Sequence, residues 1–263
     1  MRFCHTCPKV RYPAPCRSFR LPRRTNINEG SAMSRYLRDH DHPVRLAAVL
    51  ALALGGCASA PPMDETRASI DAAQATLGTF INDPDMVWLK QHMHEAKAIL
   101  VSPRILQAGF VVGASSGQAI VITPKPGGGG WNGPAFYRMT TGSVGLQAGA
   151  QSSEMVALIM TDKAVNSLLS TSFKLGADVS VAAGPIGAGT GVPVTADMVA
   201  YTRAKGLYGG LNLDGTVFSI DESRNHTLYG RTVTPVDILV NGTVSSPYAI
   251  TLGQTATAGA RAQ

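Results

Sequence analysis

Cysteine is scarce and is placed where it cannot staple a fold. Four cysteines occur in 263 residues; Cys4, Cys7 and Cys16 precede residue 33, and none follows Cys57. Once the leading segment is set aside, no intramolecular disulfide is available even in an oxidising compartment. Cys4-His-Thr-Cys7 with Cys16 lacks the four regularly spaced ligands of a closed zinc site. An excess of one charge is also missing where it would matter. The formal net charge is +6, but residues 1–56 hold ten Lys+Arg against three Asp+Glu, and residues 57–263 hold thirteen against fourteen. The main body is therefore not basic, and a nucleic-acid partner is not indicated. Long apolar runs are short too: the nine residues Leu46–Leu54 are too few to span a bilayer.

What is present at the front reads as a leader. Residues 1–32 are rich in Arg and Pro without a hydrophobic period, as expected of a non-native or disordered extension. Arg35, Arg38 and Arg45 form a basic region ahead of the apolar Leu46–Leu54 core, which runs into Leu54-Gly-Gly-Cys57. That order is the pattern of a lipoprotein signal peptide over 33–56, with Met33 as the expected start and Cys57 as the acylated residue. Each buried methylene of an acyl chain contributes about 0.8 kcal/mol, so a multiply acylated Cys57 anchors essentially permanently. Ser59 at the second position after the cysteine favours the outer membrane, with the domain in the periplasm or at the cell surface. Residues 57–64 form the acylated cysteine and its tether.

Beyond the tether, Ile70, Ala73, Leu77 and Phe80 recur at helical spacing and predict an amphipathic helix over 65–80. Asp83, Pro84 and Asp85 are suited to the start of a second helix, whose apolar stripe is Met86, Leu89, Met93 and Ala96. His92 and His94 lie about 200° apart on that helix, so one metal ion does not engage both. From Ile99 the texture becomes short apolar runs broken by Gly, Pro and Ser. Strands are expected at 110–112, 119–122, 136–139, 145–148, 156–160, 179–182, 199–202, 207–213 and 217–220. Short helices are expected near 103–107, over 162–170 with Asp162 as cap, and around 234–240. Two stretches, 98–122 and 156–183, share a rhythm of strand, helix and glycine-rich strand that suggests a duplication. Closely spaced strands argue for antiparallel sheets in a β-rich α+β domain over 65–252. The Gly/Ala/Thr/Gln tail, 253–263, carries no burying pattern and is expected to be disordered.

Catalytic and cofactor motifs fail on context. Gly113-Ala-Ser-Ser-Gly117 matches a hydrolase nucleophile elbow in letters, with Ser115 as nucleophile and Asp221 and His226 following in order. That motif needs a strand, a sharp turn and a helix, whereas Gln118–Ile122 continues as strand. Gly127–Gly130 and Gly184–Gly191 lack the Gly-Lys-Ser/Thr ending of a phosphate loop. Gly109, Gly113 and Gly117 repeat every four residues and read as bends or close backbone approaches in a sheet. No paired carboxylates or metal cluster stand out, so no enzyme activity, cofactor or metal is expected.

The stretch Tyr201-Thr-Arg-Ala-Lys-Gly-Leu-Tyr-Gly-Gly-Leu-Asn-Leu-Asp-Gly215 combines alternation with glycines. It resembles the signature of the SYLF domain family, a lipid-binding module of membrane-trafficking and actin-patch proteins. The resemblance extends in order through Ala96–Pro103, Gln107–Gly113, Trp131–Tyr137, Gly142–Gln151 and Leu175–Asp178. It implies membrane association, with anionic or phosphoinositide-like headgroups as the expected ligand. Lys97, Arg104, Lys125, Arg138, Arg203 and Lys205 are the cations in or beside these blocks, and Trp131 sits in a glycine loop where an indole suits an interface. On strand alternation Arg203 and Lys205 share a face and together suit a phosphate; the alternative is that these cations are solvated or pair with Asp197 or Asp214, while Trp131 packs in the core beside Pro134 and Phe136. The expected function is a lipid-anchored envelope protein whose domain binds lipid headgroups. The alternative is an accessory lipoprotein that binds a protein partner and meets lipid only through Cys57.

Overall fold

The computed structural model describes residues 61–187, 195–204, 207–208 and 213–261. Cys57, Lys205 and the glycine-rich centre of the Tyr201–Gly215 signature lie outside the described residues. No helix among the described residues is long and apolar enough to cross a membrane.

The domain is organised by one hairpin of unusual length. Strand β1 runs Ala98–Pro124 and β2 runs Trp131–Ile159, antiparallel from Ala98↔Ile159 to Pro124↔Trp131. Register shifts at Ser102/Ile105, Gly109/Val111 and Val121/Thr123 allow it to bend. The first bulge holds Pro103, which has no N–H for a ladder, so the helix expected near 103–107 is strand instead. Without that helix the suggested duplication of 98–122 and 156–183 falls. The hairpin doubles back on itself: the Ser102 hydroxyl donates to the Gln118 carbonyl at 2.7 Å, within the same strand. Gly117 is required there, because a Cβ would lie 2.9 Å from the Arg104 carbonyl oxygen.

Short strands extend both ends of β2. Strand β3 (Ser172–Lys174), β4 (Val181–Ala183), β5 (Met198–Ala204), β6 (Leu207–Tyr208) and β7 (Val217–Ile220) complete a seven-stranded sheet. Tyr137–Thr140 of β2 pairs β7, while Ser153–Ile159 pairs β5. The order is β3-β7-β2-β5-β4, with β1 on β2 and β6 on β5. Strands β4 and β5 are parallel. The α+β class stands, but the sheet is mixed rather than antiparallel throughout.

Both faces of the sheet are covered, which is why its apolar runs are continuous rather than alternating. On one face Leu100, Val121, Tyr137, Ala157 and Phe218 pack with Leu168 and Ile238. On the other, Ile99, Ile122, Phe136, Leu158 and Tyr201 pack under the helices. Helix α1 (Met63–Asn82) places Ile70, Ala73, Leu77 and Phe80 at full burial there, as its periodicity predicts. Burying Ile70, Leu77 or Phe80 contributes roughly 1.5–3 kcal/mol each, and the single methyl of Ala73 less. Helix α2 (Val87–His92) is shorter than expected: Asp83 Oδ1 accepts from Asp85 N in a turn, and the helix starts only after Met86. Helix α3 (Asp162–Leu169) takes its N-cap from Thr161, whose hydroxyl accepts from Ala164 N, and not from Asp162. Residues Val236–Val240 form a π-helical turn after Pro235.

Two helices depart from expectation. Helix α4 (Glu222–Tyr229) has no apolar stripe; Asp221 caps it and Gly230, at φ 68°, ends it. Its anchor is polar: Asn225 accepts from Phe136 N at 2.9 Å and donates to Phe136 O at 3.2 Å, acting as a surrogate strand neighbour. Residues 253–261 of the tail expected to be disordered are the second part of helix α5 (Pro247–Arg261), in which Leu252 and Ala256 are fully buried. Small residues serve here as contact surfaces. A Cβ at Gly253 would lie 2.1 Å from Trp131 Cδ1, and one at Gly259 would lie 2.7 Å from Ile81 Cδ1. Glycine therefore lets α5 sit with its backbone against the hairpin and α1.

Candidate ligand site at the hairpin tip

The turn between β1 and β2 is built from Lys125–Gly130. Lys125 N donates to Gly130 O at 2.8 Å, and Gly127, Gly128 and Gly130 have positive φ, so the tight turn needs glycine. The turn overhangs a cavity of about 320 Å³ lined by Lys125, Trp131, Asn132, Ser245, Ser246 and Ile250, among others. Its walls are fixed from three sides. Trp131 Nε1 donates to Thr257 Oγ1 of α5 at 3.1 Å. Asn132 Nδ2 and Thr123 Oγ1 both donate to Leu239 O of the π-helical turn, at 3.2 and 2.5 Å. Ser246 is buried and accepts from Tyr248 N at 3.3 Å at the start of α5. Lys125 is exposed and has no carboxylate partner among the described residues. Ile250 stands at the edge with 59% of its surface exposed. A cation, an indole, hydroxyls and an exposed aliphatic side chain thus share one concave surface, which suits an anionic group with an apolar portion.

The other cations from the sequence are engaged elsewhere. Arg203 Nε donates to Glu154 Oε1 at 3.0 Å, its second donor reaches the same oxygen, and its guanidinium lies 5.3 Å from the Phe80 ring centroid. Glu154 also accepts from Thr76 of α1 at 3.0 Å, so this cluster pins α1 to the sheet. Arg203 pairs with Glu154, directly opposite on β2. Arg138 makes a two-point contact with Asp221, at 3.1 and 3.2 Å, and Lys97 reaches Asp162 at 2.6 Å. Arg104 is exposed on β1. The structure thus brings together Lys125 and Trp131, leaves Lys97, Arg104, Arg138 and Arg203 apart from them, and does not describe Lys205 or Cys57. The far wall, Ser245–Ile250, has no local signal in the sequence, because it falls between the helix expected at 234–240 and the patternless 253–263 tail.

Chemistry-bearing clusters elsewhere have structural partners. Ser115 lies within β1 opposite Thr141, with no strand-to-helix elbow. Asp221 is occupied by Arg138 and by the Arg224 backbone N–H, and His226 sits inside α4. His92 Nδ1 lies 3.0 Å from Trp88 O, and its ring stacks on the Trp88 indole. Among the described residues no three His, Cys, Asp or Glu side chains form a metal-holding group. Asp197 is buried and accepts from the Thr161 hydroxyl, from Ser180 N and Oγ, and from Lys163. The Thr161 and Ser180 bonds hold its carboxyl far below the usual carboxylate range, making it a fixed anion rather than a proton donor.

Residues 140–258 match the family model described as "Ysc84: Las17-binding protein actin regulator". An "SH3 domain-containing protein" of Schizosaccharomyces pombe is 31% identical over 157 residues, which is 57% of this chain and 36% of that protein. Human "SH3 domain-containing YSC84-like protein 1" is 26% identical over 167 residues, 62% of this chain and 48% of the relative. "LAS seventeen-binding protein 3" of Saccharomyces cerevisiae is 27% identical over 153 residues, 56% and 33% of the two chains. The chain spans about half or less of the length of these relatives. Their names describe SH3-containing and binding proteins and none names a reaction. Ser245–Ile250 falls inside the matched stretch; Lys125 and Trp131 precede it.

Proposed function

The chain belongs to the Ysc84/SYLF family, and from that premise we propose that it is a non-catalytic binding module held at a membrane surface by acylated Cys57, with anionic lipid headgroups as its ligand. The observation that carries this reading is the tip cavity, where Lys125 and Trp131 meet on a concave surface. Lysine near an anionic surface contributes about 1 kcal/mol, and an indole suits the boundary between headgroup and acyl chain. The site offers binding groups but no poised acid, base or nucleophile, so the role is recognition. The paired cations Arg138 and Arg203 contribute to shape more than to the ligand, since each already spends its guanidinium on a carboxylate.

The test is co-sedimentation of the full chain carrying Cys57→Ser with phosphatidylglycerol, cardiolipin or phosphatidylcholine vesicles across a salt series. Pelleting with the anionic vesicles that weakens as salt rises supports the reading. Equal pelleting with neutral vesicles contradicts it. A second reading, capture of a protein partner, is favoured by the relatives named for binding Las17. It predicts a crosslinked envelope protein retained by the Cys57→Ser chain in the absence of vesicle binding.

A further inference from the structure

The position of the tether relative to the cavity carries an inference about orientation, resting on the lipid reading above. The described chain begins at Pro61, and Pro61 O accepts from Thr227 Oγ1 of α4 at 3.2 Å. Two residues on, the Tyr229 hydroxyl donates to Pro134 O at 2.9 Å. Pro134 adjoins Gly133, which lines the cavity. Helix α4 therefore bridges the chain entry point and the cavity wall. It is held against α1 as well, through Arg224 and Glu65 at 2.7 Å. Between Cys57 and Pro61 stand only Ala58, Ser59 and Ala60. Four residue steps of extended chain reach roughly 14 Å at most. An acyl anchor on Cys57 thus keeps the α4 end of the domain, which is bonded to β2 at Pro134, close to the headgroups.

What that end presents fits a bilayer surface. Lys125 is exposed at the turn, Ile250 is 59% exposed at the cavity edge, and Val240, which follows the Leu239 carbonyl bound by Thr123 and Asn132, is 47% exposed. A cation and an uncovered aliphatic side chain on one cavity, with a second exposed aliphatic side chain on the turn that Thr123 and Asn132 hold, is the composition of a shallow membrane contact. We propose that the domain docks with its hairpin tip facing the bilayer: Ile250 and Val240 enter the interface, Lys125 meets a lipid phosphate, and the cavity opens toward the membrane. The occupant is a phospholipid in the membrane, and not a soluble phosphate.

The experiment uses the full chain with Cys57→Ser and phosphatidylglycerol vesicles brominated at shallow acyl positions. The chain has two tryptophans. Trp88 stacks on His92 within the core, so the signal of Trp131 is obtained by subtracting a Trp131→Phe chain. Loss of Trp131 emission on vesicle binding, diminished in Ile250→Asp and absent with glycerol 3-phosphate alone, is expected. Pelleting of the protein without quenching of Trp131 means that another face docks; the orientation then falls while lipid binding stands. Failure to pellet with any anionic vesicle overturns both. Saturable binding of glycerol 3-phosphate with no vesicle binding makes the cavity a soluble-phosphate site and also overturns the proposal.

Discussion

Arg203 and Lys125 are both cations that the sequence offers for an anionic ligand, and their surroundings give them different work. Arg203 lies between Glu154 and the Phe80 ring and is only 17% exposed in its side chain. Truncating it leaves Glu154 half-buried without its charge partner. Arg203→Ala should lower stability by about 1–3 kcal/mol, seen as a shift of the urea midpoint, with little change in vesicle binding. Lys125→Ala should do the reverse: an unchanged urea midpoint and about fivefold weaker binding to anionic vesicles, the worth of one lysine at such a surface. Asp197 gives a pH signature. Its folded carboxyl titrates well below the unfolded value near 3.9, so its contribution is present above about pH 4 and is lost as pH falls through the acid range. Asp197→Asn should remove that acid-limb slope and destabilise at neutral pH by about 2 kcal/mol or more, because a charged acceptor of several hydrogen bonds is gone. A pH series of urea midpoints checks both.

At the scale of elements, α5 is held by what its glycines omit. Gly253→Leu puts a side chain where Trp131 already stands, so the helix or the indole must move. The expected outcome is a lower melting temperature together with a red shift of Trp131 emission. A melting temperature equal to that of the parent would contradict the packing. Helix α1 was readable because Ile70, Ala73, Leu77 and Phe80 repeat at the helical period and bury at that period. The strands 199–202 and 217–220 are readable for similar local reasons, and so is the helix expected around 234–240, which forms as the π-helical Val236–Val240. Helix α5 was not, since alanine, threonine and glycine pack by closeness of backbone rather than by apolar bulk. Helix α4 was missed because Asn225, its inward anchor, is polar. The two strands of the hairpin resemble many short ones in sequence, because glycines and Pro103 look like breaks there and act as bends in a continuous ladder. Within the candidate site, Lys125 and Trp131 were visible as residue types near a glycine loop. Their common wall, Ser245–Ile250, comes from more than a hundred residues away and had no local signal.

For the folded domain as a whole, the hairpin sets where the other described elements are placed. Its folded-back halves share two cores, and its tip is closed by the π-helical turn, α5 and α4. The family signature around Arg203 sits on β5 and supports this framework, while the cavity is gathered at the tip from segments far apart in sequence. On the proposed reading, recognition and architecture fall to different cations of one domain. The most direct measurement is a matched pair of vesicle titrations, Lys125→Ala against Arg203→Ala, both with Cys57→Ser, on phosphatidylglycerol at low salt. The tip account predicts that Lys125→Ala binds about fivefold more weakly while Arg203→Ala retains parental affinity wherever it is folded. Loss of binding in folded Arg203→Ala, with Lys125→Ala unaffected, would contradict it and return the ligand to the signature strand.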